Sequence, residues 1–508
     1  MPSPAPPDAA SRKVVRIVFL ALLMDLLAFT MPLPLFPRII DDFVKQEAIQ
    51  RWATPTLLSR ILSSVRSLRS YLFSFSPHPS LSKLSAVADS RWDLTLLGGL
   101  LGSLFSFCQC FISPFLGRLS DKYGRRPVLL ASMAGNLVSA ALWLGASSFG
   151  IYAASRVVGG LSEGNVQLSI ACITDVTTPS TRSRSLALVG IAFSIAFTLG
   201  PSLGAYFASS NFGRNTFSSI TVPFLNKEVQ LNSYAVPAAI TVVLLATETV
   251  YLAACLPETK GWQKPAESEG EKEKESEGPK RSVAERKKRL RELEWVHLGF
   301  LFFFSGAEYT LTFLTHNLFD YSNAQNGRLL GFIGVLSSLL QGGYVRRAST
   351  TPQKTFSLAL SGIHACAISL LLLSSLPHLA SSSKISPTTV LYLAAAGLAY
   401  VSATVVNSLN ALASLETDSS SSSSSSSLST SSSAASSSST TTTDRIEKGA
   451  ALGRFRSSGQ LGRALGPLFA TGVYWVLSPT VAYVACAVGA LGVAARMTRL
   501  AEGKGKRE

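Results

Sequence analysis

Apolar runs about 20 residues long recur along this chain, and they restrict its fold more than any other feature. One helix of that length crosses the ~30 Å hydrocarbon core of a bilayer. Twelve runs are readable: 14–36, 92–116, 128–144, 149–175, 185–208, 234–256, 295–318, 328–344, 356–376, 389–412, 451–475 and 481–495. The eighth and the last are weakest, being short or interrupted by glycine. Lipid offers the backbone no hydrogen-bond partner, so each run has to be helical. Composition agrees. Only 15% of residues are charged and mean hydropathy is +0.30, whereas soluble domains carry roughly 25% charge. A water-soluble enzyme and a largely disordered chain are excluded. The expected fold is an all-α membrane protein of twelve transmembrane helices.

Charge sets the orientation. Basic residues gather in the first tail (Arg12, Lys13, Arg16) and in the even-numbered connections (Arg118, Lys122, Arg125, Arg126; Arg182, Arg184; Arg346, Arg347, Lys354). The sixth connection is also basic. The positive-inside bias then puts both termini in the cytoplasm. The same distribution accounts for a net charge of +16 without a nucleic-acid partner. Loop 37–91, on the opposite side, carries eight basic residues, and loops near 60 residues translocate with little regard to charge.

The implied order is a tail (1–13), an N-terminal half (14–256), a charged cytoplasmic linker (257–293) with a short helix at 283–293, a C-terminal half (294–495) and a tail (496–508). A Ser-rich cytoplasmic insert at 414–445 cannot bury a core and reads as an insertion. Cys108, Cys110, Cys172, Cys255, Cys366 and Cys486 all fall in apolar stretches and read as small hydrophobes, neither disulfides nor metal ligands. The first run is too long for a secretory signal and reads as a retained anchor.

The connection between the second and third runs reads Gly117-Arg-Leu-Ser-Asp121-Lys122-Tyr-Gly124-Arg125-Arg126. Gly117 and Gly124 permit a tight turn and close helix approach, and Asp121 can cap a helix N-terminus. Further on stand Arg156-Val-Val-Gly-Gly160, then Gly200-Pro201-Ser-Leu-Gly204-Ala205, then Leu256-Pro-Glu-Thr259. A diverged copy of the proline segment, Arg463-Ala-Leu-Gly466-Pro467, lies in the eleventh run and supports an internal repeat of two six-helix halves. Small residues at Gly200, Gly204 and Gly466 suit helix packing, and Pro201 and Pro467 suit bends.

These segments resemble the motifs of the major facilitator superfamily. The first matches its loop signature in full, and the proline segment resembles the antiporter motif, with Ala205 for the final glycine. The chain is most similar to the drug:proton antiporter group, and within it to the eukaryotic tetracycline transporter-like proteins. The resemblance implies two pseudo-symmetric halves around a central cavity, alternating access, organic-anion or drug-like substrates and proton coupling. It also implies that Asp175 pairs with Arg125 or Arg126 as a gating latch.

Ionisable residues inside a bilayer are costly and tend to be functional. Asp25 lies about eleven residues into the first run, roughly 16 Å deep. Arg156 and Glu163 are seven apart in the fourth and would share a helix face. Glu308 lies mid-run in the seventh. The expectation is an N-half site of Asp25, Arg156 and Glu163 faced by Glu308. Burial out of water favours a protonated carboxyl and a nearby guanidinium an ionised one, so such a group can exchange a proton when substrate arrives. The alternative for each is a static ion pair between helices. Gln167, Asn407, Asn410 and His316 are candidate substrate contacts, though polar residues also stitch helices together. Glu248 is a lesser candidate, and Arg463 has either a gating or a substrate role. No phosphate loop, nucleophile elbow or metal-ligand spacing is present. A monomer without cofactor or metal is expected, with a small organic solute and protons as partners. A sensor or scaffold on the same fold is the competing class.

Overall fold

The structure is a computed structural model of the chain and describes residues 7–32, 35–50, 56–74, 86–209, 219–222, 227–230, 234–262, 282–349, 351–382, 386–417 and 446–502. Residues 418–445 of the Ser-rich insert, 263–281 of the linker and the two chain ends, 1–6 and 503–508, lie outside the described residues.

The N-terminal half holds α1 (Pro7–Thr30), α2 (Phe36–Gln50), α3 (Leu57–Ser74), α4 (Ala86–Tyr123), α5 (Arg125–Leu144), α6 (Phe149–Ser162), α7 (Asn165–Val176), α8 (Pro179–Ser209) and α9 (Ala235–Cys255). A small antiparallel hairpin, β1 (Ser219–Val222) and β2 (Lys227–Gln230), lies between α8 and α9 and pairs Ser219 with Gln230. The C-terminal half holds α10 (Val283–Phe319), α11 (Asn323–Leu339), α12 (Pro352–Ser382), α13 (Pro387–Glu416), α14 (Lys448–Val476) and α15 (Pro479–Glu502).

Local chemistry sets the ends. Proline, whose missing N–H costs nothing in a first turn, opens α8, α12, α13 and α15. Ser282 with Glu285 and Ser322 with Gln325 form capping boxes at α10 and α11. Asp320, in the left-handed region at φ 51°, ends α10.

Among the described residues nine helices are long and apolar enough to cross a bilayer: α4, α5, α8 to α13 and α15. The other three expected spans correspond to α1, the α6–α7 pair and α14. Two of these carry charge along their length, Arg12, Lys13, Arg16 and Asp25 on α1 and Lys448, Arg454, Arg456 and Arg463 on α14. The third is broken at Glu163 and Gly164 into helices of 14 and 12 residues. The fourth run is therefore not one continuous helix.

Three other departures have plain causes. The short helix expected at 283–293 is the first part of a single 37-residue helix, because no proline interrupts it before Phe319. The loop at 37–91 contains α2 and α3. Their apolar residues Ile40, Phe43 and Leu58 pack with Leu97, Trp143 and Tyr152 of the bundle. The glycine-interrupted eighth run continues past α11 as one π-helical stretch, Leu340–Val345, at Gly342 and Gly343.

The main apolar core runs through both halves. The halves repeat one contact. A methyl on Gly204 of α8 would meet the Met31 carbonyl after α1, and one on Gly466 of α14 would meet the Phe302 carbonyl of α10. Gly200, a turn before Gly204, abuts Thr30, whose hydroxyl donates to the Ala196 carbonyl at 2.9 Å. Each proline segment thus lets its helix pack backbone to backbone on the first helix of its half.

Candidate functional site

Asp25, Arg156 and Glu163 line one cavity in the N-terminal half, together with Phe29, Asn136 and Trp143. Asp25 is buried on α1, and Asn165 at the start of α7 donates to its Oδ1 at 2.9 Å. Glu163 sits in the break between α6 and α7 with extended backbone, and Asn136 of α5 donates to its Oε2 at 3.0 Å. The break, rather than a shared helix face, sets Glu163 on the lining of the cavity that Arg156 also lines. The Arg156 guanidinium carbon lies 5.8 Å from the Trp143 ring centre and 5.5 Å from that of Tyr152. Its Nε donates to Ser155 Oγ at 3.3 Å. Aromatic faces thus help hold the cation where water is scarce.

Glu248 of α9 stands about one turn beyond the lining residue Leu245 and two beyond Thr241. It is 1% exposed, faces the charges of Asp25 and Glu163, and its Oε2 has no hydrogen-bond partner among the described residues.

Glu308 is not part of the N-half cavity. It is exposed at mid-span on α10, within electrostatic reach of Arg463 on α14. Arg456, two turns before Arg463, lies within reach of Glu163 across the boundary between the halves. With its amide oriented to satisfy the network, Gln460 accepts from Arg456 Nε and Nη2 at 3.1 Å and donates to Gln109 of α4 at 2.9 Å. Asn136, Asn165, Arg456, Gln109 and Gln460 were not singled out from sequence. A scan of the eleventh run for ionisable residues finds Arg456. The asparagines carry no signal separable from ordinary helix-stitching amides.

The lesser candidates scatter. Gln167 donates to the Ser113 carbonyl of α4 at 2.9 Å. Asn407 donates to the Ala403 carbonyl of its own helix at 3.3 Å and abuts Gly190 of α8. Asn410 is buried on α13. His316 is exposed in the last turn of α10, two turns beyond Glu308, beside the Tyr321 carbonyl.

The Gly117–Arg126 segment forms the end where α4 and α14 meet. A methyl on Gly117 would strike the Gly449 carbonyl. Asp121 accepts from the Gly449 and Ala450 amides at 2.8 and 2.7 Å, so a carboxylate from one half caps a helix of the other. Arg125 donates to Asp121 Oδ1 at 2.8 Å and to Asp175 Oδ2 at 2.9 Å. Lys448 approaches Asp175 at 3.5 Å. The Arg125 and Arg126 amides donate to Glu258, at 2.8 and 3.2 Å. Lys260 Nζ donates to the Lys122 carbonyl at 2.9 Å. Arg182 donates to the Thr177 carbonyl and, across the boundary, to the Ser414 carbonyl at 3.3 Å. The structure is closed at this end.

The sequence model of the Major Facilitator Superfamily matches residues 18–441. Major facilitator superfamily domain-containing protein 10 of Mus musculus is 31% identical over 504 residues, covering 95% of this chain and 93% of the mouse protein. The class G tetracycline resistance protein of Vibrio anguillarum is 36% identical over 106 residues, 21% of this chain and 27% of that protein. The crystal structure of the human organic anion transporter MFSD10 (TETRAN) matches with a TM-score of 0.72 at 28% identity, covering 96% of this chain and 99% of that one. A bundle of membrane-length helices, a repeated helix contact and a family match over residues 18–441 lead to one conclusion: the chain belongs to the Major Facilitator Superfamily, a family of membrane transporters.

Proposed function

We propose that the chain is a secondary active transporter that moves a small organic solute, an organic anion or drug-like molecule, in exchange for protons. The observation that carries this reading is the N-half cavity, which Asp25, Glu163 and Arg156 line together. Holding charge at this depth costs about 2.5 kcal/mol or more per group, so a purely structural bundle gains little from it. Alternating access then follows from rocking the two halves about the boundary that Asp121, Lys448 and Arg182 cross. The basic end, with both termini, faces the cytoplasm, and the chain works as a monomer in the bilayer.

Uptake into proteoliposomes under an imposed pH gradient tests the reading. Accumulation of a labelled organic anion or drug against its gradient is expected for the wild type. Asp25→Asn and Glu308→Gln are expected to lower it to the level of protein-free liposomes while substrate binding persists. Accumulation unchanged by both substitutions removes these carboxyls from coupling.

A second reading, proton symport, is favoured by one observation. Glu163 and Glu308 each lie within electrostatic reach of an arginine of α14. An anion that takes the arginine leaves the carboxylate without its countercharge, and a proton is the remaining neutraliser. The direction of the gradient that drives accumulation separates symport from antiport.

A further inference from the structure

α14 carries two arginines on the face it turns toward the N-terminal half. Arg456 and Arg463 are seven residues apart, about 10 Å along the axis and on one side of the helix. Gln460 lies between them and bonds Gln109 of α4, which fixes the direction of that face. Both arginines are partly open rather than sealed in the core, and each feels the other's charge or that of a carboxylate across the boundary.

The order of charges is unusual. Glu163 lies within electrostatic reach of Arg456, Arg456 of Arg463, and Arg463 of Glu308. The row is neutral as a whole, yet its two cations stand together in the middle. Among the described residues no carboxylate lies within ion-pair distance of either guanidinium. Arg463 also keeps a buried Nε with no hydrogen-bond partner. Two adjacent cations at membrane depth repel, and the carboxylates at the ends offset this only from a distance. An anion seated between them would give the two cations the close countercharge that the distant carboxylates do not, in a site partly open to the surroundings.

We propose that Arg456 and Arg463 form the binding site for the anionic group of the solute, a carboxylate or sulfonate attached to an apolar or aromatic body. Gln460 holds the Arg456 guanidinium in place through Nε and Nη2, while Arg463 offers its unpartnered Nε. Glu163 and Glu308 flank the site and disfavour a solute with more than one close negative charge. This assignment rests on the transport reading above and adds the residues that recognise charge.

The test compares 2-naphthoate with its uncharged isostere 2-naphthamide, by binding to the full chain in nanodiscs and by uptake into proteoliposomes. The wild type is expected to prefer the naphthoate. Arg456→Gln and Arg463→Gln are each expected to lower that preference about ten- to hundredfold, the loss of one charge-assisted hydrogen bond. Arg463→Lys is expected to recover part of it. The double variant Glu308→Gln with Arg463→Gln restores charge balance, and the site requires that it still lack the preference. Recovery of anion preference in that double variant would mean that Arg463 only neutralises Glu308, and the proposal falls. Equal losses for both probes in the single variants overturn it as well. A wild type that moves the amide but neither binds nor moves the naphthoate overturns the anion site and leaves transport standing. A folded wild type that moves neither probe overturns both.

Discussion

Gly124 adopts φ 107° and ψ 161°, a region closed to side chains, with the Glu258 carboxylate where a Cβ would stand. That conformation lets Glu258 accept the first amides of α5 just after the turn. Gly124→Ala is expected to cost about 1–3 kcal/mol and to lower the melting midpoint of the purified protein. Asp121 ties the two halves together, because its carboxylate belongs to one half and accepts from the Gly449 and Ala450 amides of the other. Asp121→Ala removes the cap from α14, worth about 0.5–2 kcal/mol. The population open at the basic end is then expected to rise roughly 2- to 30-fold. Distances between spin labels on the two halves at that end would show it, and unchanged distances would mean that the cap does not hold the gate. At this scale the loop signature was legible, since its spacing requires a glycine turn and a capping acid. The helix that Asp121 caps was not, because Gly449 lies 328 residues away.

Among the elements, α4 and α14 form the longest crossing between the halves. Gly117 lies against Gly449, Gly453 against Ser113, and the Ser457 hydroxyl donates to the Cys110 carbonyl at 2.6 Å. The Cys110 sulfur is 3.4 Å from Ser457 Oγ. Ser457→Cys is therefore expected to form a disulfide with Cys110 under copper phenanthroline, locking the basic end shut. Transport should stop on oxidation and return on reduction. Transport that continues in the fully crosslinked protein would show that α4 and α14 do not separate during the cycle. The break between α6 and α7 and the π-helical stretch after α11 are element-scale features of another kind. Each departs from a regular helix at a polar residue. Glu163 is held there by Asn136, and Gln341 donates to Ser194 of α8 at 3.1 Å. The apolar pattern showed a weak eighth run but no sign of a break in the fourth, since Gly164 alone is common inside membrane helices.

The whole molecule is closed at its basic end by bonds that water barely reaches. Arg125 and Asp175 are both buried, and Asp121 is covered by the first turn of α14. Screening acts weakly on such pairs. Raising salt from about 0.05 to 0.5 M, a change that shortens the Debye length severalfold, is expected to leave the spin-label distances at this end nearly unchanged. A marked opening with salt would place the controlling charges at the exposed surface instead. The same organisation sets the two polar centres at different depths of the bundle. The contacts of Asp121, Arg125 and Asp175 lie at the basic end, while Asp25, Arg156 and Glu163 line a cavity in the N-terminal half.

The sequence by itself determined the class of fold, the repeat and the family. Spanning a bilayer allows only helices of a given length, and a turn between two of them allows few residue patterns. It also marked Asp25, Arg156, Glu163 and Glu308, because charge at membrane depth is expensive wherever it points. Only the tertiary structure decided which of these meet. Glu163 joins Arg156 on the lining of one cavity through a broken helix, and Glu308 lies within electrostatic reach of Arg463 rather than in the N-half cavity. Arg456 comes close to Glu163 from a helix nearly 300 positions away. Contacts between helices depend on rotation and depth. Many sequences with the same apolar pattern satisfy a bilayer equally well, so that pattern constrains neither.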